Sequence, residues 1–485
     1  MNFKPRSTLP QQALKVMPPA RRAAFLALER SLGKGDLPLQ AALDLILREQ
    51  RLGPKDAPLA TNLTYETCRH QERLHWLLGR FLKRPERLAP AHKDILLLAA
   101  CELIFMEGIP PYASLNWAVE AVKTAFGPAL GGLSNAVLRK VAALKNEARD
   151  YAFFAAEIKD RRELLSVWFS QPLWLVDHFT ASYPEAEARA YLEAFIAEPA
   201  LGLRVNARRP DWQELAARLA GEPGRLADHG HSLAFAAAHK PADLEQLIRE
   251  GRVSRQSYAA QEVLDAIMQG AAAAKPEFRD ALQGGVWDAC AGHGGKTCAL
   301  LEQGIPVVLA SDIHSGRLAG LREDMERLGL FNLGLFDLGL FSPGLTSNTP
   351  DTAPADAPAI LLADAAGPCP LPHCPPVILA DVPCSGLGTL NRRPDIKYKR
   401  SPADLSDLAL LQARITDNLY DSLPPQGWLL YVTCTLNPAE NQDAVAGLLA
   451  RRPGAELVFV WRTPPDSPAR EFFYGAAIKK NKAAV

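Results

Sequence analysis

No stretch of this 485-residue chain has the roughly 18 consecutive apolar residues of a membrane helix, and the opening MNFKPRSTLPQQ lacks the apolar core of a secretory signal. A soluble, cytoplasmic protein without a membrane partner is expected. The 8 cysteines form no closely spaced framework, which argues against a disulfide scaffold and leaves buried thiols, metal ligands or catalytic groups. There is no internal repeat and no net charge. Hydrophobic residues at 48% and charged residues at 22% exclude disordered, collagen-like and coiled-coil classes. The length is about three domains' worth, enough for several cores without a covalent staple.

The zero net charge conceals an asymmetry. Residues 1–150 carry 22 Lys+Arg against 14 Asp+Glu, and the remainder 32 against 40, a balance of +8 and −8. A basic N-terminal segment suggests contact with a polyanion, although solvated helix faces would give the same count.

From Ala20 to about Lys145, apolar residues recur three and four apart, as in Ala24, Leu28, Leu32 and Leu74, Leu77, Leu78, Phe81, Leu82. This spacing predicts an all-α domain over 1–150. Residues 151–280 mix helical patterns around 164–197, 212–219 and 242–250 with a strand-like LGLRVNA (201–207), giving a small α+β connector domain. Over 281–485, short apolar runs bounded by turns alternate with helical stretches at 315–328 and 404–423. The runs are VWDAC (286–290), VVLASD (307–312), AILLAD (359–364), VILADVPC (377–384) and WLLYVTC (428–434). That alternation predicts an α/β domain with a mostly parallel, Rossmann-like sheet. Residues 333–358 break the rhythm and read as a mobile inserted loop.

In such a sheet, ligands bind at the carboxyl ends of the strands, where Asp288, Asp312, Asp364, Asp381, Cys384 and Cys434 fall. VWDACAGHGGKT runs from a strand into Gly292, Gly294 and Gly295, a tight loop that lets backbone approach a ligand. It lacks the glycine spacing of a dinucleotide fingerprint, which disfavours a nicotinamide-dependent oxidoreductase. Asp312 ends the next strand, where a carboxylate can accept both hydroxyls of a ribose; alternatively it caps the following helix. Either cysteine alone reads as a core thiol, but two at neighbouring strand ends point to thiolate chemistry.

Three motifs resemble those of the RNA cytosine-5 methyltransferases of the Sun/NOL1/NOP2 family, in order and spacing. VWDACAGHGGKT is similar to DxCAAPGGKT, DVPCSGLGTLNRRPDIK to DAPCSGxGxxRRxPDIK, and YVTCTLNPAEN to YxTCSxxPxEN. IPPYASLNWAVEAVK (109–123) and SNAVLRKV (134–141) resemble the NusB-like RNA-binding domain that precedes the catalytic part in bacterial 16S ribosomal RNA members. The resemblance implies S-adenosyl-L-methionine as cofactor, small-subunit ribosomal RNA (unassembled or partly assembled, and no DNA) as partner, and methylation of a cytosine at C5. It also implies Cys434 as the nucleophile that adds to C6, Cys384 as the group assisting product release, and Asp381 on the N3 edge of the base and in the cofactor pocket. The implied cofactor loop is Cys290, Ala291, Gly292, His293, Gly294, Gly295 and Lys296, with Asp312 on the ribose. For the adenine-side acid, Asp364 is preferred to Asp337 because AILLA makes the better strand.

The same motifs would serve methylation of tRNA, and a catalytically degenerate RNA-binding assembly factor is a third reading. Gly292 and His293 stand where the family has Ala-Pro, Ser257 where it commonly has Asp, and Thr435 where it has Ser. Cys369, His373 and Cys374 are close in sequence, but their spacing fits no standard zinc pattern and no metal is expected.

Overall fold

Proline places many of the helix starts. In Pro19–Leu32, Pro90–Phe105, Pro111–Phe126 and Pro128–Ala143 it occupies the first helical position, where its missing N–H is no loss and its fixed φ suits the turn. The computed structural model describes residues 9–33, 37–330 and 358–482. They pack as two units, Met1–Ala197 with Leu390–Ser401, and Glu198–Thr389 with Pro402–Val485.

The first unit is helical, as the three-and-four spacing predicts. Pro90–Phe105 is buried on nearly every side, from Ile95 to Ile104, and forms the centre of the bundle. Its one buried acid, Glu102, is satisfied by Arg21 (2.6 Å), Ser114 (2.7 Å) and Trp117 (3.0 Å). Helices Arg161–Trp168, Leu173–Ser182 and Glu185–Phe195 complete the part of this unit that precedes residue 198. Leu390–Ser401, from the motif that follows Cys384, also belongs to this unit. The Lys397 ammonium donates to the carbonyls of Arg69 (2.8 Å) and Ser170 (2.6 Å), Arg69 donates to the Asn391 carbonyl (3.0 Å), and Asp395 accepts the Leu39 amide (3.0 Å).

The second unit holds two sheets. The smaller comprises β1 (Leu201–Val205), β2 (Arg225–His229), β3 (Ser232–Phe235) and β4 (Val253–Arg255), in the order β2-β3-β1-β4. Arg204 on β1 is buried in a two-oxygen pairing with Glu302, at 2.7 and 3.0 Å. The larger sheet contains β5 (Val286–Asp288), β6 (Val307–Asp312), β7 (Ala359–Leu362), β8 (Val377–Asp381), β9 (Trp428–Thr433), β10 (Ala455–Arg462) and β11 (Tyr474–Lys480). Its order is β10-β11-β9-β8-β5-β6-β7. β5 to β9 are parallel and β11 and β10 antiparallel, so the Rossmann-like expectation holds, with two extra strands added beyond β9. β5 lies between β6 and β8, so the chain order reverses there, and the crevice at that switch point is where such sheets take ligands. The inserted loop expected at 333–358, and with it Asp337, falls almost wholly outside the described residues.

Candidate active site

Parallel pairing brings the two cysteine loops together. Asp381 at the end of β8 is in register with Val432 on β9, so the chain reaches Cys384 and Cys434 at the same level above the sheet. The two sulfurs are 3.2 Å apart, and the Cys434 amide points at the Cys384 sulfur from 3.4 Å. A hydroxyl pair, Ser385 with Thr435 at 2.6 Å, runs beside them. Thr435 is thus used through the hydroxyl that it shares with the family's serine. Gly388 lets the backbones close up, since a Cβ there would stand 2.0 Å from the Phe472 carbonyl oxygen. The hydrogen bond with Cys434, then burial, then the Cys434 and Glu440 charges push the Cys384 thiol well above its ordinary pKa.

The loop after β5 forms the other half of the site. Gly294 has φ +80°, and a Cβ would lie 2.1 Å from the Leu321 side chain, so glycine is required there both sterically and conformationally. Gly292, also at positive φ, donates its amide to Asp312 (3.0 Å), whose other oxygen accepts the His314 amide (2.8 Å). The Ala291 amide is tied to the Ser311 carbonyl (2.8 Å), fixing the loop against β6. His293 packs over Gly320, and Gly295 opens the helix Gly295–Glu302. His293, Ile313, His314, Ser315, Gly316 and Arg317 line a cavity of about 490 Å³. Ser257 caps helix Tyr258–Ala274 and its hydroxyl bonds Glu471, a position at which aspartate would face a carboxylate.

Carboxylates dominate the field. Burial raises the Cys290 thiol far above its usual range, and Asp288, Asp381, Asp312 and Asp364 add to the effect, so four acids surround that sulfur. Burial likewise pushes Asp288 up to about 7, although the Thr297 hydroxyl bonds it at 2.6 Å. Asp364 itself is exposed and accepts the Ala366 amide (2.9 Å). Lys296 leaves the loop toward Asp381, 2.5 Å away; burial works against its charge, but that carboxylate outweighs it and raises the ammonium's pKa. Its charge is also felt by Cys434. The site therefore pairs an acidic crevice with two thiols and a single buried cation.

Sequence reasoning placed Lys296 with the cofactor loop and missed its reach to Asp381. It also passed over Glu440, whose carboxylate accepts the Ser385 amide at 2.8 Å; a carboxylate in PAEN just after Cys434 was the available signal. Among the described residues no group of three His, Cys, Asp or Glu is placed to hold a metal ion.

The fold agrees with the comparisons. A model of the NusB family matches residues 18–143, one of the 16S rRNA methyltransferases RsmB/F matches 375–470, and one of the ferredoxin-like domain of those enzymes matches 171–232. The ribosomal RNA small subunit methyltransferase B of Pseudomonas syringae pv. tomato is 32% identical over 93% of this chain and 90% of its own. The chain belongs to the RsmB/F family of 16S ribosomal RNA methyltransferases. The Pseudomonas putida relative of the same name is 31% identical, covering 90% of each chain. The crystal structure of PH0851 shares the fold at a TM-score of 0.68, with 18% identity over 96% of this chain and 99% of that one. A methyltransferase homolog from Pyrococcus horikoshii follows at 0.50 and 20% identity, covering 65% of this chain and 97% of its own. As a member of this family the chain is an RNA methyltransferase, and no described helix is long and apolar enough to cross a membrane.

Proposed function

We propose that this protein transfers a methyl group from S-adenosyl-L-methionine to C5 of a cytosine in 16S ribosomal RNA, through a covalent bond between Cys434 and C6. The observation that carries the reading is the pair of thiols 3.2 Å apart at the ends of adjacent parallel strands, with the Lys296–Asp381 pair beside them. The cofactor fits the residues present: four carboxylates suit a sulfonium and an ammonium, and the positive-φ glycines clear the approach to the loop. Cys290 to Lys296, Asp312, Asp364 and Asp381 would hold it, with Asp312 on the ribose and Asp364 toward the adenine. When bound, it supplies the electrophilic methyl group.

C5 of cytosine is a poor nucleophile until a thiolate adds to C6. Cys434 performs that addition, and the hydrogen bond from the Cys384 thiol and the nearby Lys296 charge support the ionised sulfur. Asp381, held by Lys296, accepts from the protonated N3 edge of the base and offsets the charge that develops. Once the Cys434 sulfur is bonded to carbon, it no longer carries charge or competes for the Cys384 hydrogen. The largest cause of the raised Cys384 pKa is then gone, so Cys384 can release its proton to solvent and, as a thiolate, take the C5 proton; the C5–H electron pair re-forms the C5=C6 bond as the C6–S bond breaks and Cys434 leaves as a thiolate. A duplexed base cannot reach such a crevice, so the target is unpaired or flipped out, as in unassembled or partly assembled small-subunit RNA. The basic helical domain, 1–150, positions that RNA in the cytoplasm.

The test is trapping. Cys384→Ala should form a denaturant-resistant RNA complex, seen as a shifted band, that persists because the C5 proton is not removed. Cys434→Ser should form none and transfer no methyl group. A stable complex with Cys434→Ser and none with Cys384→Ala would reverse the two roles.

A further inference from the structure

We infer that Glu440 is a positioning residue for methyl transfer: its buried carboxylate clasps the Cys384 loop to the Cys434 loop and sets the spacing and polarity of the two thiols. The inference rests on the reading of those thiols given above and assigns the group that holds them.

Glu440 ends the short turn Pro438–Glu440 and has no exposed surface. One carboxylate oxygen accepts the Ser385 amide (2.8 Å) and the Gln412 side-chain amide (2.9 Å), and the other accepts the Asn437 side-chain amide (3.0 Å). The three donors come from three places: the residue after Cys384, the helix Pro402–Ser422, and the loop after Cys434. Gln412 cannot turn its oxygen toward Glu440 without loss. Its nitrogen also bonds the Pro383 carbonyl (2.9 Å), and a turned side chain would set its oxygen against that carbonyl. Every partner offered to the Glu440 side chain is a donor, which suits the ionised, acceptor-only form. Among the described residues Glu440 makes no ion pair. A buried acid satisfied only by neutral donors keeps its full charge directed at its surroundings.

That charge faces Cys384. Cys384 is also faced by Tyr431 from β9 and by Cys434 just after it, and Lys296, paired with Asp381, faces Cys434. Glu440 and Cys434 both favour the protonated Cys384 thiol, which makes Cys384 the donor and Cys434 the acceptor once Cys434 ionises. The Tyr431 hydroxyl donates to the Glu440 carbonyl (2.6 Å), fixing the backbone that aims the carboxylate. The clasp thus accounts for two features together: the loops stay close enough for the sulfurs to meet at 3.2 Å, and the two thiols are electrically unequal.

The experiment uses the full-length protein with Glu440→Gln and Glu440→Asp. Iodoacetamide alkylation of Cys384 and Cys434 is followed against pH by peptide mass spectrometry, without RNA or cofactor, and steady-state methylation is measured in parallel. Glutamine can keep the Ser385 and Gln412 bonds through its oxygen but removes the charge. Cys384 should then be alkylated at lower pH, about three- to tenfold faster near neutrality, the effect of up to one unit of thiol pKa. Its kcat should fall about tenfold or more, with KM for RNA and cofactor within about twofold, because the substrates are not touched. Aspartate keeps the charge but withdraws from the Ser385 amide, so kcat should fall without that shift of the alkylation profile. An unchanged profile in Glu440→Gln, or wild-type kcat in Glu440→Asp, would overturn the assignment; the second result is decisive even if Glu440→Gln fails to fold. If the wild-type protein methylates no RNA, the reading of function fails alone, since the alkylation arm still reports on the clasp.

Discussion

At Asp288, burial and chemistry pull against each other. The carboxyl is pushed up to about 7, against about 3.9 in an unfolded chain, so between about pH 4 and pH 7 the folded protein retains a proton that the unfolded chain has released. Stability from this group is complete below that window and is lost as pH rises through it. Asp288→Asn stays neutral and can still accept the Thr297 hydroxyl, so its Tm relative to wild type should rise from about pH 5 to about pH 8. A difference independent of pH would sink this account of Asp288. The neighbouring Asp312→Ala variant should bind S-adenosyl-L-methionine about ten- to hundredfold more weakly in calorimetry, the loss of about 1.5–3 kcal/mol from a buried charged hydrogen bond. Equal affinity would remove Asp312 from the pocket. Asp381, Cys384 and Cys434 were legible in the sequence because each ends an apolar run bounded by turn residues. The reach of Lys296 to Asp381 and the place of Glu440 were not, because their partners lie 85 and 55 residues away. Only the sheet order brings them together.

The parallel strands were readable as elements for the same reason: buried on both faces, they appear as unbroken apolar runs. β11 was not, since YGAAIKK has little strand preference and is held by pairing on both edges, with β9 and β10. Nor could spacing foretell that Leu390–Ser401 folds with the helical unit. There the Lys397 ammonium is buried, and desolvation lowers its pKa to about 8. Lys397→Met should leave the Arg69 and Ser170 carbonyls unsatisfied, at about 1–3 kcal/mol each, and loosen this seat. Hydrogen exchange should then quicken in Asp56–Arg69 and Leu390–Ser401. Wild-type protection in both segments would show that the amine does not anchor the element.

Over the whole molecule, residues 1–150 have a charge of +8 and the rest −8. Part of that surplus is exposed and unpaired: Lys83, Arg84 and Arg87 lie on the surface and form no ion pair among the described residues. Replacing all three with alanine should weaken RNA binding and reduce the slope of log affinity against log salt by about 0.7–0.9 for each phosphate that the protein no longer neutralises. Cofactor affinity should not change. An unchanged slope would mean that these side chains are only solvated surface. Substitution tests this better than deletion, because removing residues 1–150 also strips Arg69 and Leu39 from Leu390–Ser401. The central claim, that Cys434 adds to C6 and so activates cytosine C5 to take the methyl group of S-adenosyl-L-methionine, is tested most directly by incubating unmodified 16S ribosomal RNA with the protein and isotopically labelled S-adenosyl-L-methionine, then identifying the labelled nucleoside by mass spectrometry. The expected result is label in 5-methylcytidine at one position with wild type and none with Cys434→Ser. Label in a different methylated nucleoside, or in 5-methylcytidine made by Cys434→Ser, would contradict it.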